Sequence, residues 1–260
     1  MDEIGYVNPS TMVSKKDPSD IVQDFPTPMW GTRALCHFLR GIGYDLSTMS
    51  AREPCANRGY MVKPLSEFFA SVDASDIKDY GMGYPVRDFT DTDGLFAEET
   101  EFPDFDVYNP PFGLAQQFLE RSMREARRGI CILIRTSWSE SSERYWSIFR
   151  DNPAAYKLTF SQRLAMFQGQ TVPSWARYED DHPNPKKAGR HMTSATSYSW
   201  FIWLKGDSAP TRDLIIPPVR GQLERDTDYP DWQGNARTDA QRRNAEQTRH
   251  DMGRLKRGLR

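Results

Sequence analysis

Asn109-Pro-Pro-Phe112 closes an apolar, strand-like run that begins at Asp106, and Gly113 then leads into a helical pattern. These four residues have the groups needed to hold a planar, weakly nucleophilic NH2. Such an amine presents two N–H bonds, and two acceptors placed for them turn its lone pair toward an electrophile. The side-chain oxygen of Asn109 is one acceptor. The carbonyl of Pro110 is the other, because Pro111 keeps the residue before it out of the helical region. Phe112 adds a flat face on which a planar ring can stack. A Pro-rich turn after a strand has the same composition, so the rest of the chain must decide between the two readings.

Three stretches upstream bear on that choice. Glu53-Pro-Cys-Ala-Asn-Arg-Gly59 reads as a strand end running into a tight turn, with a helix starting near Tyr60. Cys55, Ala56 and Gly59 keep that turn small enough for close approach of a ligand, and Asn57 suits a positive φ. Phe68 to Ser75 reads as a strand that ends at Asp76-Ile77, and an acid at such an end can accept from two ribose hydroxyls. Asp73 is the rival by spacing but falls inside the strand. Pro85-Val-Arg-Asp-Phe89 is the third stretch.

Taken in order, the Glu53-Pro54 turn, the acid at 76, Asp88-Phe89 and Asn109-Pro-Pro-Phe112 resemble the motif series of the S-adenosylmethionine-dependent amino-methyltransferases. The similarity is strongest to small, phage- or prophage-type adenine-N6 DNA methyltransferases and covers residues 25–205. The resemblance implies a Rossmann-like class I α/β fold, with a seven-stranded, mostly parallel sheet and helices on both faces. It implies S-adenosylmethionine as cofactor, with Glu53 facing its ammonium beside Pro54, Cys55, Ala56, Asn57 and Gly59. Asp76 then takes the ribose, Ile77 packs on the adenine, Asp88 accepts from its amino group and Phe89 adds apolar contact. Thr27-Pro-Met-Trp30, ahead of the first helix, is expected over the methionine end of the cofactor. The catalytic set is Asn109, Pro110, Pro111 and Phe112, with Asn109 also near the cofactor. The substrate is adenine N6 in DNA, flipped out or single-stranded. RNA is the alternative, since the motif serves both. Glutamine amides in protein fit the basic segments less well, and a non-catalytic nucleic-acid binder of this fold would have no need of Asn109.

The remaining elements must position these residues. Thr32 to Arg40 has apolar residues at helical spacing, and so does Leu114 to Arg128, through Ala115, Phe118, Leu119 and Met123. Gly129 to Ile134 is fully apolar, as buried parallel strands are. The Arg135–Ser139 loop after it shares a sheet edge with Asn109, and Trp138 there either lines the base pocket or covers the sheet. Tyr156–Phe160 and Tyr198–Leu204 are aromatic-rich strands, the latter expected to run antiparallel. Between them, residues 166–197 form a long polar segment with Phe167, Trp175, Lys186, Lys187 and Arg190, a candidate surface for phosphate and base contacts. Asp180, Asp181 and His182 are adjacent and make a poor metal set, and no metal is expected.

Composition sets the outer bounds. Of 260 residues, 27% are charged and 38% apolar, so part of the chain is expected to lie outside the core, and the net charge of −2 excludes a uniformly basic coat. The three cysteines show neither zinc nor redox spacing and read as buried thiols. No apolar run is long enough to span a membrane, and the acidic start lacks a signal pattern, so a cytoplasmic protein is expected. Residues 1–24 read as a loose arm. Residues 206–260 read as a polar, basic tail, with eight Lys/Arg against three Asp/Glu from 236 onward.

Overall fold

The structure, a computed structural model, describes residues 24–91, 102–180, 182, 184–230 and 232. The expected arm at 1–23, part of the acidic loop before the central strand, Asp181 and the basic run from 236 lie outside the described residues.

Helix α1 (Met29–Gly41) opens the fold, followed by β1 (Ser50–Glu53), α2 (Val62–Leu65), β2 (Ser71–Ala74), β3 (Phe105–Tyr108) and α3 (Ala115–Glu125). Then come β4 (Gly129–Arg135), a short α4 (Ser142–Arg144) continued by a π-helical turn over Tyr145–Phe149, β5 (Tyr156–Phe160), β6 (Tyr198–Leu204), β7 (Arg212–Ile216) and α5 (Arg220–Leu223). The seven strands form one sheet in the order β2-β1-β3-β4-β6-β5-β7. β6 runs antiparallel to both its neighbours, and every other pairing is parallel.

Alternation along the strands explains why both faces are covered. Cys131 and Leu133 of β4, with Trp200 and Ile202 of β6, join a core under α1 that includes Leu35, Leu39, Met61 and Leu65. Ile130, Ile132 and Ile134, with Phe201 and Trp203, join the opposite core under α3, with Phe118, Leu119, Trp138 and Ile148. A sheet buried on both sides needs apolar residues at successive positions, which is what the sequence of β4 supplies. Cys36 and Cys131 are buried free thiols, and Cys55 is half-buried.

The segment at 85–89 contributes a single parallel bridge, Asp76 to Val86. One feature differs from expectation. The seventh strand is β7, at the opposite edge, inside the segment read as tail. Residues 206–230 therefore build part of the fold, with β7 paired to β5 from Tyr156–Arg212 to Phe160–Ile216. Among the described residues no helix is long and apolar enough to cross a membrane.

Candidate active site

Parallel pairing of β1 with β2 and β3 brings three strand ends to one edge of the sheet. Glu53, Asp76 and Asn109 all stand at or just beyond those ends. Glu53 is fully buried. Its Oε1 accepts from the Cys55 N–H at 2.8 Å, while Oε2 has no partner among the described residues. Burial pushes the Glu53 carboxyl well above the usual carboxylate range, and Asp76 and Asp106 push it the same way against the Cys55 N–H. A buried carboxylate oxygen without a donor is costly unless a ligand answers it. A cation bearing N–H groups, such as an ammonium, meets both needs.

The turn after Glu53 is tightly made. Asn57 is the single non-glycine at positive φ among the described residues, at 47°, and Gly59 follows at 82°. The Ala56 N–H donates to the Ser75 carbonyl at 2.9 Å, and the Asn57 N–H to Asp76 Oδ2 at 2.9 Å. Asp76 also accepts from the Lys78 N–H at 3.0 Å. Burial raises the Asp76 carboxyl above its ordinary value, opposed by these N–H donors. Ile77 beside it is 58% exposed, a large apolar side chain left uncovered next to the turn. Pro54 and Ala56 are buried beneath. This small-residue turn, flanked by two acids and an exposed isoleucine, suits a nucleoside with an attached amino acid.

Asn109 is half-buried at the end of β3. Its Nδ2 donates to the Phe25 carbonyl at 3.2 Å and to Thr27 Oγ1 at 3.2 Å, with Met166 Sδ at 3.8 Å. The Pro111 carbonyl accepts from the Leu114 N–H at 2.9 Å, which turns the chain into α3. Phe112 is half-buried, 6.4 Å from Tyr198, and the Arg135 guanidinium lies 4.4 Å over its ring.

Other expected residues are placed elsewhere. Trp30 is 1% exposed and packs edge-on against Phe160 in the core, so it does not face the turn. Phe89 is buried between the guanidiniums of Arg52 and Arg121, at 4.7 and 4.6 Å, and presents no surface to a ligand. Asp88 is exposed, but its carboxylate accepts from the Thr90 N–H and hydroxyl at 2.8 and 2.6 Å. Trp138 covers the sheet, packed among Phe149, Phe201 and Trp203. Thr27 reaches Asn109 and is itself buried.

The 166–197 segment is anchored at its base and paired along its length. Thr171, Val172 and Ala176 are buried, and Met192 N to Ala176 O and Tyr178 N to Arg190 O, both at 2.9 Å, hold a hairpin-like excursion. Lys186 and Arg190 are exposed at its outer part, while Lys187 lies 5.2 Å over the Tyr178 ring. Phe167 is half-buried, and Trp175 packs edge-on against Tyr229 at 5.9 Å. Among the described residues no His/Cys/Asp/Glu group is arranged to hold a metal.

Sequence reasoning missed several residues here. The Tyr84 hydroxyl lies over Gly59, 2.5 Å from where a Cβ there would stand. Asp24 accepts from Asn57 Nδ2 at 2.9 Å and from Arg58 at 3.1 Å, and its carbonyl accepts from the Gly169 N–H at 2.8 Å. That cluster ties the turn to the start of the 166–197 segment. The adjacency of Asn57 and Arg58 was the single local signal for it, and nothing local pointed to Tyr84.

Comparison with solved structures agrees with this architecture. A methyltransferase subunit of a type I restriction-modification system from Streptococcus thermophilus superposes with a TM-score of 0.50 at 11% identity, over 89% of this chain and 55% of that one. The fold is that of the class I methyltransferases. A class I S-adenosylmethionine-dependent methyltransferase from Listeria monocytogenes matches at TM-score 0.49 and 12% identity, over 75% of this chain and 67% of that one. Magnesium protoporphyrin IX methyltransferase from Synechocystis, solved with its cofactor, matches at 0.43 and 10%, over 68% and 79%. The chain thus spans about half the length of the Streptococcus subunit. No protein-family model matches the sequence, and no curated protein does.

Proposed function

We propose that the chain is an S-adenosylmethionine-dependent methyltransferase acting on the N6 amine of adenine in DNA. The observation that carries this is the placement of Asn109-Pro-Pro-Phe112 at the end of β3, beside the Glu53 turn at the end of β1. When bound, the cofactor supplies an electrophilic methyl group. Glu53 would hold its ammonium, and Asp76 and Ile77 would hold its ribose and adenine. Asn109 Oδ1 and the Pro110 carbonyl accept the two N–H bonds of the target amine and aim its lone pair. Phe112, with Arg135 against it, supports the base. Most of the rate gain then comes from positioning the amine and from acceptors that favour charge developing on nitrogen. Lys186 and Arg190 offer phosphate contacts, and the base reaches the site flipped out or from a single strand. Sequence specificity rests on the 166–197 segment or on a partner chain.

The test is methyl transfer from labelled S-adenosylmethionine to unmethylated genomic DNA and to total RNA, followed by nucleoside mass spectrometry. N6-methyladenine in DNA is the expected product. Label confined to RNA, or none in either, overturns the assignment. Asn109→Ala is expected to keep cofactor affinity within a few-fold while kcat falls by about 10²–10³.

A further inference from the structure

We infer that the Phe25–Thr27 turn makes Asn109 an acceptor only, and that Thr27 is a positioning residue for the reaction. The inference rests on the reading of Asn109 as the residue that holds the substrate amine. A carboxamide has one accepting and one donating end, nearly alike in shape, so an unrestrained Asn offers either to a substrate. Here the NH2 has two hydrogens and two oxygen acceptors, the Phe25 carbonyl and Thr27 Oγ1, both at 3.2 Å. Met166 Sδ is a third, weaker acceptor for the same nitrogen at 3.8 Å. A carbonyl oxygen cannot donate, so Phe25 decides which end of the amide faces the turn. Oδ1 is then the end left for substrate.

The consequence is a selection by chemical class. The group held at Oδ1 must bring a hydrogen, as an exocyclic NH2 does. A carbonyl oxygen or an unprotonated ring nitrogen would meet a lone pair. The same arrangement explains Asn rather than Asp at 109. A carboxylate there would set an oxygen against the Phe25 carbonyl, with no hydrogen between them. Thr27 is 3% exposed, so water does not readily replace its hydroxyl. Valine has nearly the shape of threonine without the acceptor, and serine keeps the acceptor.

The experiment follows two signals in the full chain. The first is the side-chain NH2 pair of Asn109 in ¹⁵N-asparagine-labelled, ligand-free protein, identified by its loss in Asn109→Ala. Thr27→Val is expected to speed hydrogen exchange of that pair by about tenfold, and Thr27→Ser to leave it near wild type. The second is kinetic. Thr27→Val is expected to lower kcat about tenfold with S-adenosylmethionine affinity unchanged, and Thr27→Ser to restore it. Unchanged exchange and unchanged kcat in Thr27→Val would overturn the inference. So would a loss of cofactor affinity with kcat intact, which would place Thr27 on the cofactor instead. If the wild type methylates no nucleic acid while Thr27→Val still frees the amide, the orienting contact stands and the substrate assignment fails.

Discussion

At the scale of single residues, Glu53 runs against what folding alone favours. A carboxylate at full burial, with one oxygen lacking a donor among the described residues, lowers the stability of the ligand-free protein. The sign with pH follows from the direction of its shift. Its folded pKa lies above its unfolded one, so its contribution is most favourable below the unfolded value, about 4.3, and is lost as pH rises through the folded value. Glu53→Gln removes that loss. The variant is expected to be more stable than wild type at pH 8, with a smaller difference at pH 5, as measured by urea unfolding at both. The same substitution takes the counter-charge from the ligand. Losing a hydrogen bond between charged groups is worth about 1.5–3 kcal/mol, so affinity for S-adenosylmethionine should fall roughly 10- to 100-fold by calorimetry. A variant both less stable at pH 8 and unchanged in affinity would make Glu53 an ordinary core residue.

At the scale of elements, the turn between β1 and α2 shows how shape is divided between local and distant causes. Gly59 has φ of 82°, and a Cβ there would stand 2.5 Å from the Tyr84 hydroxyl. Gly59→Ala therefore meets two penalties. The backbone term is about 1–2 kcal/mol and stays whatever the neighbour. The steric term depends on Tyr84 and should be relieved in a Tyr84→Phe background. A double-mutant cycle read by denaturant unfolding is expected to show coupling above ~0.5 kcal/mol, and additivity would separate Tyr84 from the turn. The division also marks what the sequence could tell. Asn57 at positive φ was legible because few residue types tolerate that conformation, and the ends of β3 and β4 were legible from apolar runs meeting turn residues. Tyr84 was not, because its contact joins segments whose approach is set by the sheet. Trp30 and Phe89 were misread, and Trp138 stayed open between two roles, because an aromatic ring serves a core and a binding surface equally well, and only its neighbours decide. β7 was passed over because its composition is Pro-flanked and charged at Arg212 and Asp213, with Ile215 72% exposed, as suits the last strand at an edge.

At the scale of the whole molecule, the segment beyond β6 locks the first helix to the 166–197 segment. Arg33 of α1 is buried and donates to both oxygens of Asp228, at 2.7 and 2.8 Å, to the Leu223 carbonyl at 2.7 Å and to Glu67. Glu224 accepts from the Ser174 N–H and hydroxyl at 3.0 and 2.6 Å and from the Tyr229 hydroxyl, and Arg220 reaches the Val172 carbonyl at 3.0 Å. The same α1 is preceded by the Phe25–Thr27 turn that holds Asn109, so the anchoring of the 166–197 segment and the orientation of the Asn109 amide depend on one docked region. Asp228→Ala leaves the Arg33 guanidinium buried with one carboxylate removed, which costs about 3–5 kcal/mol. Glu67→Ala also removes a carboxylate from Arg33, but at a side chain 24% exposed water replaces part of what is lost, so it should cost less than Asp228→Ala. The contrast should persist in 1 M salt, since a buried pair is screened far less than an exposed one. Limited proteolysis supplies the structural readout. Asp228→Ala is expected to speed cleavage within 177–191, whose base the docked segment holds, while Glu67→Ala leaves it unchanged. Equal effects of the two variants would mean that the docked region is held by apolar packing and that the buried ion pair contributes little to it.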